Sequence, residues 1–303
     1  GLGPRLMQPG GGGGLKEPWV LISELKRDFT VKEVEMTAEK IPDEIKVLLV
    51  IHPRDISDVT QWAIDQFVLR GGKLIAFMDP YAYFDQQRDF QNPLGGTQAA
   101  QSALYALMKS WGIEMDMSKV IADLTYPRGA GSRLLPTLLS LQGTALNQDD
   151  VVMSQVGTVL IPFGGTFGGK PAEGLTQTVL MKTSPNSMPV DLIIATLSGE
   201  PSTRGFKPSG TENPIAIRLT GKFKTAFPEG KPKPMSANPD DKDKKPEQPA
   251  APSLKESNGE GAVVLVADAD MLTDNAAVET QDVFGQRVVV PRNGNLNRSE
   301  EHT

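Results

Sequence analysis

Cysteine is absent from the 303 residues, which excludes thiol nucleophiles, disulfides and cysteine-ligated zinc. Histidine occurs only at His52 and His302, so a serine triad or a histidine metal cage would have to be built on His52. There is no excess of positive charge either. Lys and Arg number 31 against 37 Asp and Glu, a formal net charge of −6, and nucleic-acid binding needs a concentrated basic surface that the chain lacks. No apolar run approaches the roughly 20 residues that cross a bilayer, and no basic-then-apolar leader opens the chain, so the polypeptide as given is expected to be soluble. Hydrophobic residues at 39% and aromatics at 6% still suffice for an ordinary core.

What is present is an alternation of strand-like and helix-like segments. Trp19, Ile22 and Leu25 fall at helical spacing, and Thr30 to Met36 alternates polar and apolar as a half-buried strand does. Val47-Leu-Leu-Val-Ile51 is a near-continuous apolar run, the mark of a central parallel strand. Ser57 is placed to cap a helix carrying Val59, Trp62, Ala63, Phe67 and Val68 on one stripe, Gly71-Gly72 supplies its stop, and Lys73 to Met78 reads as the next strand. A second helix is predicted over Thr97 to Trp111, followed by a short strand at Lys119 to Ala122.

Beyond Tyr126 the texture changes to short β-like runs separated by Gly, Pro and Ser, at Thr158–Ile161, Gln177–Met181, Asp191–Thr196 and Ile215–Leu219. Pro228 to Asn258 is rich in proline, lysine and aspartate and has no aromatic or β-branched residue, a composition that predicts disorder. Ala262 to Ala267 is again a buried-strand run. The predicted organisation is therefore a flexible lead-in at 1–17, an α/β domain from 18–125 and 259–296, a β-rich insertion or subdomain at 126–227, a disordered linker at 228–258 and a tail at 297–303. Both ends read as cuts in a longer protein. The predicted fold class is α/β: a mostly parallel sheet with flanking helices, amidotransferase-like or flavodoxin-like, carrying the β-rich insertion.

Ligands of open parallel sheets bind beyond the carboxyl ends of the strands. Three segments are predicted there: His52-Pro-Arg-Asp55, Asp79-Pro-Tyr81 and Asp268-Ala-Asp270. A candidate binding crevice therefore comprises His52, Arg54, Asp55, Asp79, Tyr81, Asp268 and Asp270. Against it stands the ordinary use of such carboxylates as caps and turn formers. Asp268-x-Asp270 also has the form of a phosphoryl-transfer start, but Leu272 and the lack of a later lysine or acidic pair weigh against that chemistry. Gly164-Gly-Thr-Phe-Gly-Gly-Lys170 has phosphate-loop spacing, yet Pro171 replaces the magnesium-binding hydroxyl and no helix pattern follows; a mobile glycine-rich hairpin is expected instead. The sheet pattern is similar to class I glutamine amidotransferases, but the required cysteine is absent. No catalytic residues, cofactor or metal is assigned.

Several runs carry a family resemblance: Pro18 to Val31, Ile41-Pro42, Val47 to Pro53 and Ile64-Asp-Gln-Phe-Val-Leu-Arg-Gly-Gly-Lys-Leu-Ile-Ala-Phe-Met-Asp-Pro80. Leu180 to Ser187, Gly221 to Phe227, Ala267 to Leu272 and Asn293-Gly-Asn-Leu296 extend it. Together they resemble the auxiliary domain of GldG-type ABC transport components, a family linked to gliding motility and to uncharacterised ABC transport systems, whose fold is shared with an intraflagellar-transport protein domain. The last seven residues depart from the pattern. The resemblance implies a non-catalytic, extracytoplasmic (periplasmic) accessory domain, flanked by membrane helices outside this chain. It also implies an ABC permease and ATPase as partners, with a glycan or small molecule as a possible ligand and no nucleic acid. The alternatives are a hydrolase or a small-ligand sensor using the strand-end carboxylates.

Overall fold

The computed structural model describes residues 19–87, 98–100, 102, 104–129, 131–233, 253–283, 286–291 and 293–296. The lead-in at 1–17, the tail at 297–303 and positions 234–252 of the linker lie outside the described residues. In chain order the elements are α1 (Val20–Asp28), β1 (Val47–Ile51), α2 (Asp58–Leu69), β2 (Lys73–Phe77), β3 (Ala82–Gln87), β4 (Gln98–Ala100), α3 (Tyr105–Trp111), β5 (Ile113–Met115) and β6 (Lys119–Asp123). There follow β7 (Pro127–Arg128), β8 (Leu135–Gln142), β9 (Thr158–Pro162), β10 (Phe167–Gly169), β11 (Leu175–Lys182), β12 (Ser187–Asp191) and α4 (Glu200–Thr203). The last are β13 (Pro214–Gly221), β14 (Gly261–Val266), α5 (Asp274–Ala277), β15 (Val278–Val283) and β16 (Gln286–Pro291).

The central sheet runs β1-β2-β14-β13-β11, so β1, expected to be central, is an edge strand whose Val47 is exposed. The β1–β2 and β2–β14 pairs are parallel, whereas β14–β13 and β13–β11 are antiparallel. The remaining described strands form small antiparallel ladders, β7-β8-β9 and the pairs β5–β10, β6–β12, β3–β4 and β15–β16. This corrects the expectation of a mostly parallel, flavodoxin-like or amidotransferase-like α/β sheet: the protein is β-rich, and its main sheet is mixed. The physical reason is that an unbroken apolar run reports burial on both faces and says nothing of strand direction. Direction follows from the connections. The segment between β13 and β14 returns beside its own start, with Gly221 opposite Gly261, so it closes a long antiparallel hairpin and not a crossover.

Helix α2 forms where the periodicity places it. The Ser57 hydroxyl accepts the Thr60 N–H at 3.1 Å, Asp58 sits in the first turn, and Gly71 takes a φ of 98° just past the end. Its apolar face, with Phe67 and Val68, packs with Leu107 and Trp111 of α3 on one side of the sheet, against Leu74, Ala76, Ile217 and Leu265. The other side is covered by Leu139, Leu141, Val159 and Ile161 of β8 and β9, which pack on Leu180, Ile215 and Val266. One sheet thus separates a helical layer from a β layer.

Three local expectations fail, one of them the β-like run at 191–196: β12 ends at Asp191 and a 3-10 helix follows over Leu192–Ile194. Thr30 to Met36 forms no strand; Val31 and Met36 stay exposed, and the Met36 carbonyl is taken up by the Thr60 hydroxyl of α2 at 3.0 Å. The helix predicted over Thr97 to Trp111 begins only at Tyr105. Ser102 is gripped upstream of it, donating its N–H to the Asp79 carbonyl at 2.9 Å and accepting the Asp79 N–H on its hydroxyl at 2.8 Å, which holds the chain extended.

At the linker edges, α2 clasps both strands of the excursion. Asp65 accepts the Thr225 hydroxyl at 2.7 Å and the Ala226 N–H at 2.9 Å. Gln66 exchanges two bonds with the Leu254 backbone, at 2.7 and 3.0 Å. Burial raises the Asp65 carboxyl above its ordinary range against the pull of these donors.

Candidate carboxylate junction at the strand ends

β2 and β14 end side by side at Phe77 and Val266, and Asp79 and Asp268 each stand two residues beyond, after Met78 and Ala267. Asp79 is fully buried. Its Oδ1 accepts the Tyr81 N–H at 2.8 Å, and its Oδ2 accepts the N–H groups of Ala269 and Asp270 at 3.0 and 3.2 Å. Burial pushes this carboxyl up to about 7, against the opposing pull of the three N–H donors. Asp268 is also fully buried. Its Oδ1 accepts the Met271 N–H at 3.0 Å, whereas Oδ2 has no hydrogen-bond partner. Burial, then the charges of Asp79 and Asp270, raise it well above the carboxylate range. Asp270 accepts the N–H groups of Tyr83 at 2.6 Å and Phe84 at 3.4 Å, tying the start of β3 to the end of β14.

The structure therefore brings together Asp79, Asp268 and Asp270, with Tyr81 beside them. The Tyr81 phenol is pushed upward by burial, then by Tyr83 and Asp270. Its ring meets Phe163 edge-on at 5.6 Å, and Tyr83 lies 5.1 Å from the same Phe163. His52 joins at one remove: its Nδ1 and the Ser102 hydroxyl are 2.9 Å apart. It holds a φ of 46° and donates its N–H to the Phe77 carbonyl. Arg54 contacts Asp55 at 3.5 Å, and the Asp55 side chain is 90% exposed, so Asp55 faces solvent and does not join the buried cluster.

Among the described residues, backbone covers the carboxylates. The Gly164-Gly165 backbone lies on the strand ends, with the Gly165 N–H donated to the Ala267 carbonyl at 2.7 Å and the Gly164 carbonyl accepting the Ile121 N–H at 2.8 Å. A Cβ on Gly164 would sit 2.5 Å from the Ile161 Cγ2, with the Ala267 oxygen at 3.2 Å and the Asp268 Cβ at 3.3 Å behind it, which explains the glycine. In place of a mobile hairpin, Gly164, Gly165 and Phe167 are buried packing, and Phe167–Gly169 forms β10 on β5 with its two glycines exposed.

Ser102 is a participant the sequence did not announce. Serine–histidine contact at 2.9 Å has the spacing of a nucleophile and its base. However, Ser102 is fully buried, and its oxygen already accepts the Asp79 N–H. A second unannounced network surrounds buried Asp123, which accepts the Ser184 N–H and hydroxyl at 2.6 and 2.8 Å and the Thr125 N–H at 2.7 Å. Its only trace in the sequence is the Thr183-Ser-Pro-Asn-Ser187 run. Among the described residues, no group of three or more His, Cys, Asp or Glu is arranged to hold a metal. Beside the junction, a cavity of about 330 Å³ opens between α3 and β5, lined by Met78, Met108, Met115 and Met117 with Tyr105 and Lys109.

Fold and site together define a β-rich domain with a mixed central sheet, whose strand-end carboxylates bind the protein's own backbone. The chain belongs to the ABC-type uncharacterized transport system family of auxiliary components, whose profile matches residues 6–297. An uncharacterized protein of Borreliella burgdorferi is 26% identical over 163 residues, covering 50% of this chain and 31% of that protein. The mmIFT52 N-terminal domain aligns with a TM-score of 0.44 at 13% identity, over 84% of this chain and 80% of that one. Family membership associates the chain with an ABC transport system and with the membrane. Among the described residues, no helix is long and apolar enough to cross a membrane.

Proposed function

We propose that this chain is a non-catalytic accessory domain of an ABC-type transport complex, placed on the extracytoplasmic side and working with a permease and an ATPase. One observation carries the non-catalytic part. The strand-end carboxylates accept backbone N–H groups of their own molecule, and the space where a substrate would lie holds the Gly164-Gly165 backbone. A protein-docking role is supported by apolar side chains in the open, with Ile193 87% exposed next to exposed Ile194 and Leu197. Affinity purification of the full-length protein from its native membrane, followed by mass spectrometry, tests this. Recovery of a permease and an ATPase is the expected result, and a clean preparation without transporter subunits would sink the proposal.

The methionine-lined cavity favours a second reading, a small-ligand sensor for the same transporter. Thioether walls accommodate apolar ligands of varied shape, and the volume lies at the low end for ligand sites. A thermal-shift screen with sugars, nucleotides and lipids should then show selective stabilisation. A flat response across the panel counts against it.

A further inference from the structure

The Asp79, Asp268 and Asp270 junction has a property that capping alone does not require. Two caps of the ordinary kind would leave each carboxylate oxygen bonded or wet. Here Asp268 is fully buried with Oδ2 unpartnered, adjacent to two further carboxylates. An ionised carboxylate in that position lacks solvation, and its Oδ2 lacks a donor although Oδ1 keeps the Met271 N–H.

We propose that the junction is a proton-loaded latch: with Asp268 protonated it holds the start of β3 against the end of β14, and on losing that proton it loosens its grip. The inference goes beyond the accessory reading and stands without it. The titratable groups around Asp268 are Asp79 at the end of β2, Asp270 in its own turn, the phenols of Tyr81 and Tyr83 leading into β3, and His52 at the end of β1 through Ser102. Gly164 and Gly165 bring backbone only, and the nearby Asn295 amide, on the Met271 carbonyl, does not titrate. Burial and the two neighbouring carboxylates favour the protonated form of Asp268. Its deprotonation would set a second or third negative charge in one dry pocket. The most direct relief is separation of Asp270, and with it the N–H groups of Tyr83 and Phe84 that Asp270 holds.

Amide exchange of Tyr83 and Phe84 in the whole chain, corrected for intrinsic rates, tests the latch between about pH 5 and pH 9. Protection should fall by up to about tenfold per pH unit once Asp268 ionises, while amides of α2 stay flat. Asp268→Asn, permanently neutral, should cut the dependence to the part contributed by Asp79, whose carboxyl stands at about 7. Protection that is invariant with pH, or a slope unchanged in Asp268→Asn, would overturn the proposal. If that variant does not fold, the ¹³Cγ resonance of Asp268 in the native chain decides: a protonated carboxyl at pH 6 supports the latch and an ionised one refutes it. Neither result bears on transporter association, which is read by co-purification.

Discussion

Asp79 is the acceptor for three backbone donors from two separate segments. Asp79→Ala should therefore destabilise the fold by about 2 kcal/mol in urea titration. Losing acceptors for buried N–H groups costs more than that, but the cost of burying the Asp79 carboxyl is removed at the same time. Because the folded carboxyl stands at about 7 against an ordinary 3.8, the folded state binds the proton more tightly than the unfolded chain. The associated stability is complete below about pH 4 and is lost as pH rises towards 7, so denaturation midpoints of the native chain should drop across that range more than those of Asp79→Ala. The three carboxylates were legible in the sequence because apolar runs locate strand ends. Ser102 was not: it meets His52 and Asp79 only after the chain folds back, and no local spacing marks such a contact. Nor does spacing say whether an acid at a strand end faces solvent, as Asp55 does, or the protein's own amides, as Asp79 does.

At the scale of elements, α2 was readable almost residue for residue, since cap, stripe and stop are all local signals. Ser57→Ala removes the bond to the Thr60 N–H and should cost about 1 kcal/mol in thermal or urea unfolding. The Arg218–Asp150 pair is a different case. Arg218 of β13 reaches Asp150 through two bonds, at 3.1 and 2.7 Å, and fixes the turn that precedes β9. Burial alone would raise the Asp150 carboxyl, but the Arg218 bond and charge, together with the Val152 N–H, hold it below the ordinary range. Its contribution is present above the unfolded carboxylate range and is lost as pH falls. Arg218→Ala should cost about 2 kcal/mol at neutral pH and progressively less in acid, which urea titrations at two pH values would detect. This pair joins segments too distant in sequence for any pattern to connect. The helix expected from Thr97 failed for a related reason: propensity is weak, and the two bonds between Ser102 and the Asp79 backbone outweigh it.

For the whole molecule, the hairpin closed by the Pro/Lys/Asp segment makes a sharp test of the mixed sheet. Its ends meet where Thr225 donates to the Lys255 carbonyl and Ser257 to the Phe223 carbonyl, with Asp65 and Gln66 of α2 holding both sides. Loop entropy depends only weakly on length, about 0.6 kcal/mol per doubling. Replacing residues 234–252 by a short Gly-Ser loop should thus leave the unfolding midpoint nearly unchanged. Limited proteolysis within that stretch should leave both fragments associated on size exclusion; fragments that separate would contradict the placement of β14 between β2 and β13.

The sequence by itself determined where β1, β2 and β14 lie, where α2 starts and stops, and which acids stand at strand ends, because these depend on neighbours within a few residues. Absent cysteine and scarce histidine also set which chemistries the chain does not contain. Only the tertiary structure decided the direction of β13 and β11, the burial of Gly164 and Gly165 over the strand ends, and the closeness of Asp79, Asp268 and Asp270. Each of these is a contact between distant residues, fixed by how backbone hydrogen bonds and apolar faces are satisfied across the whole molecule.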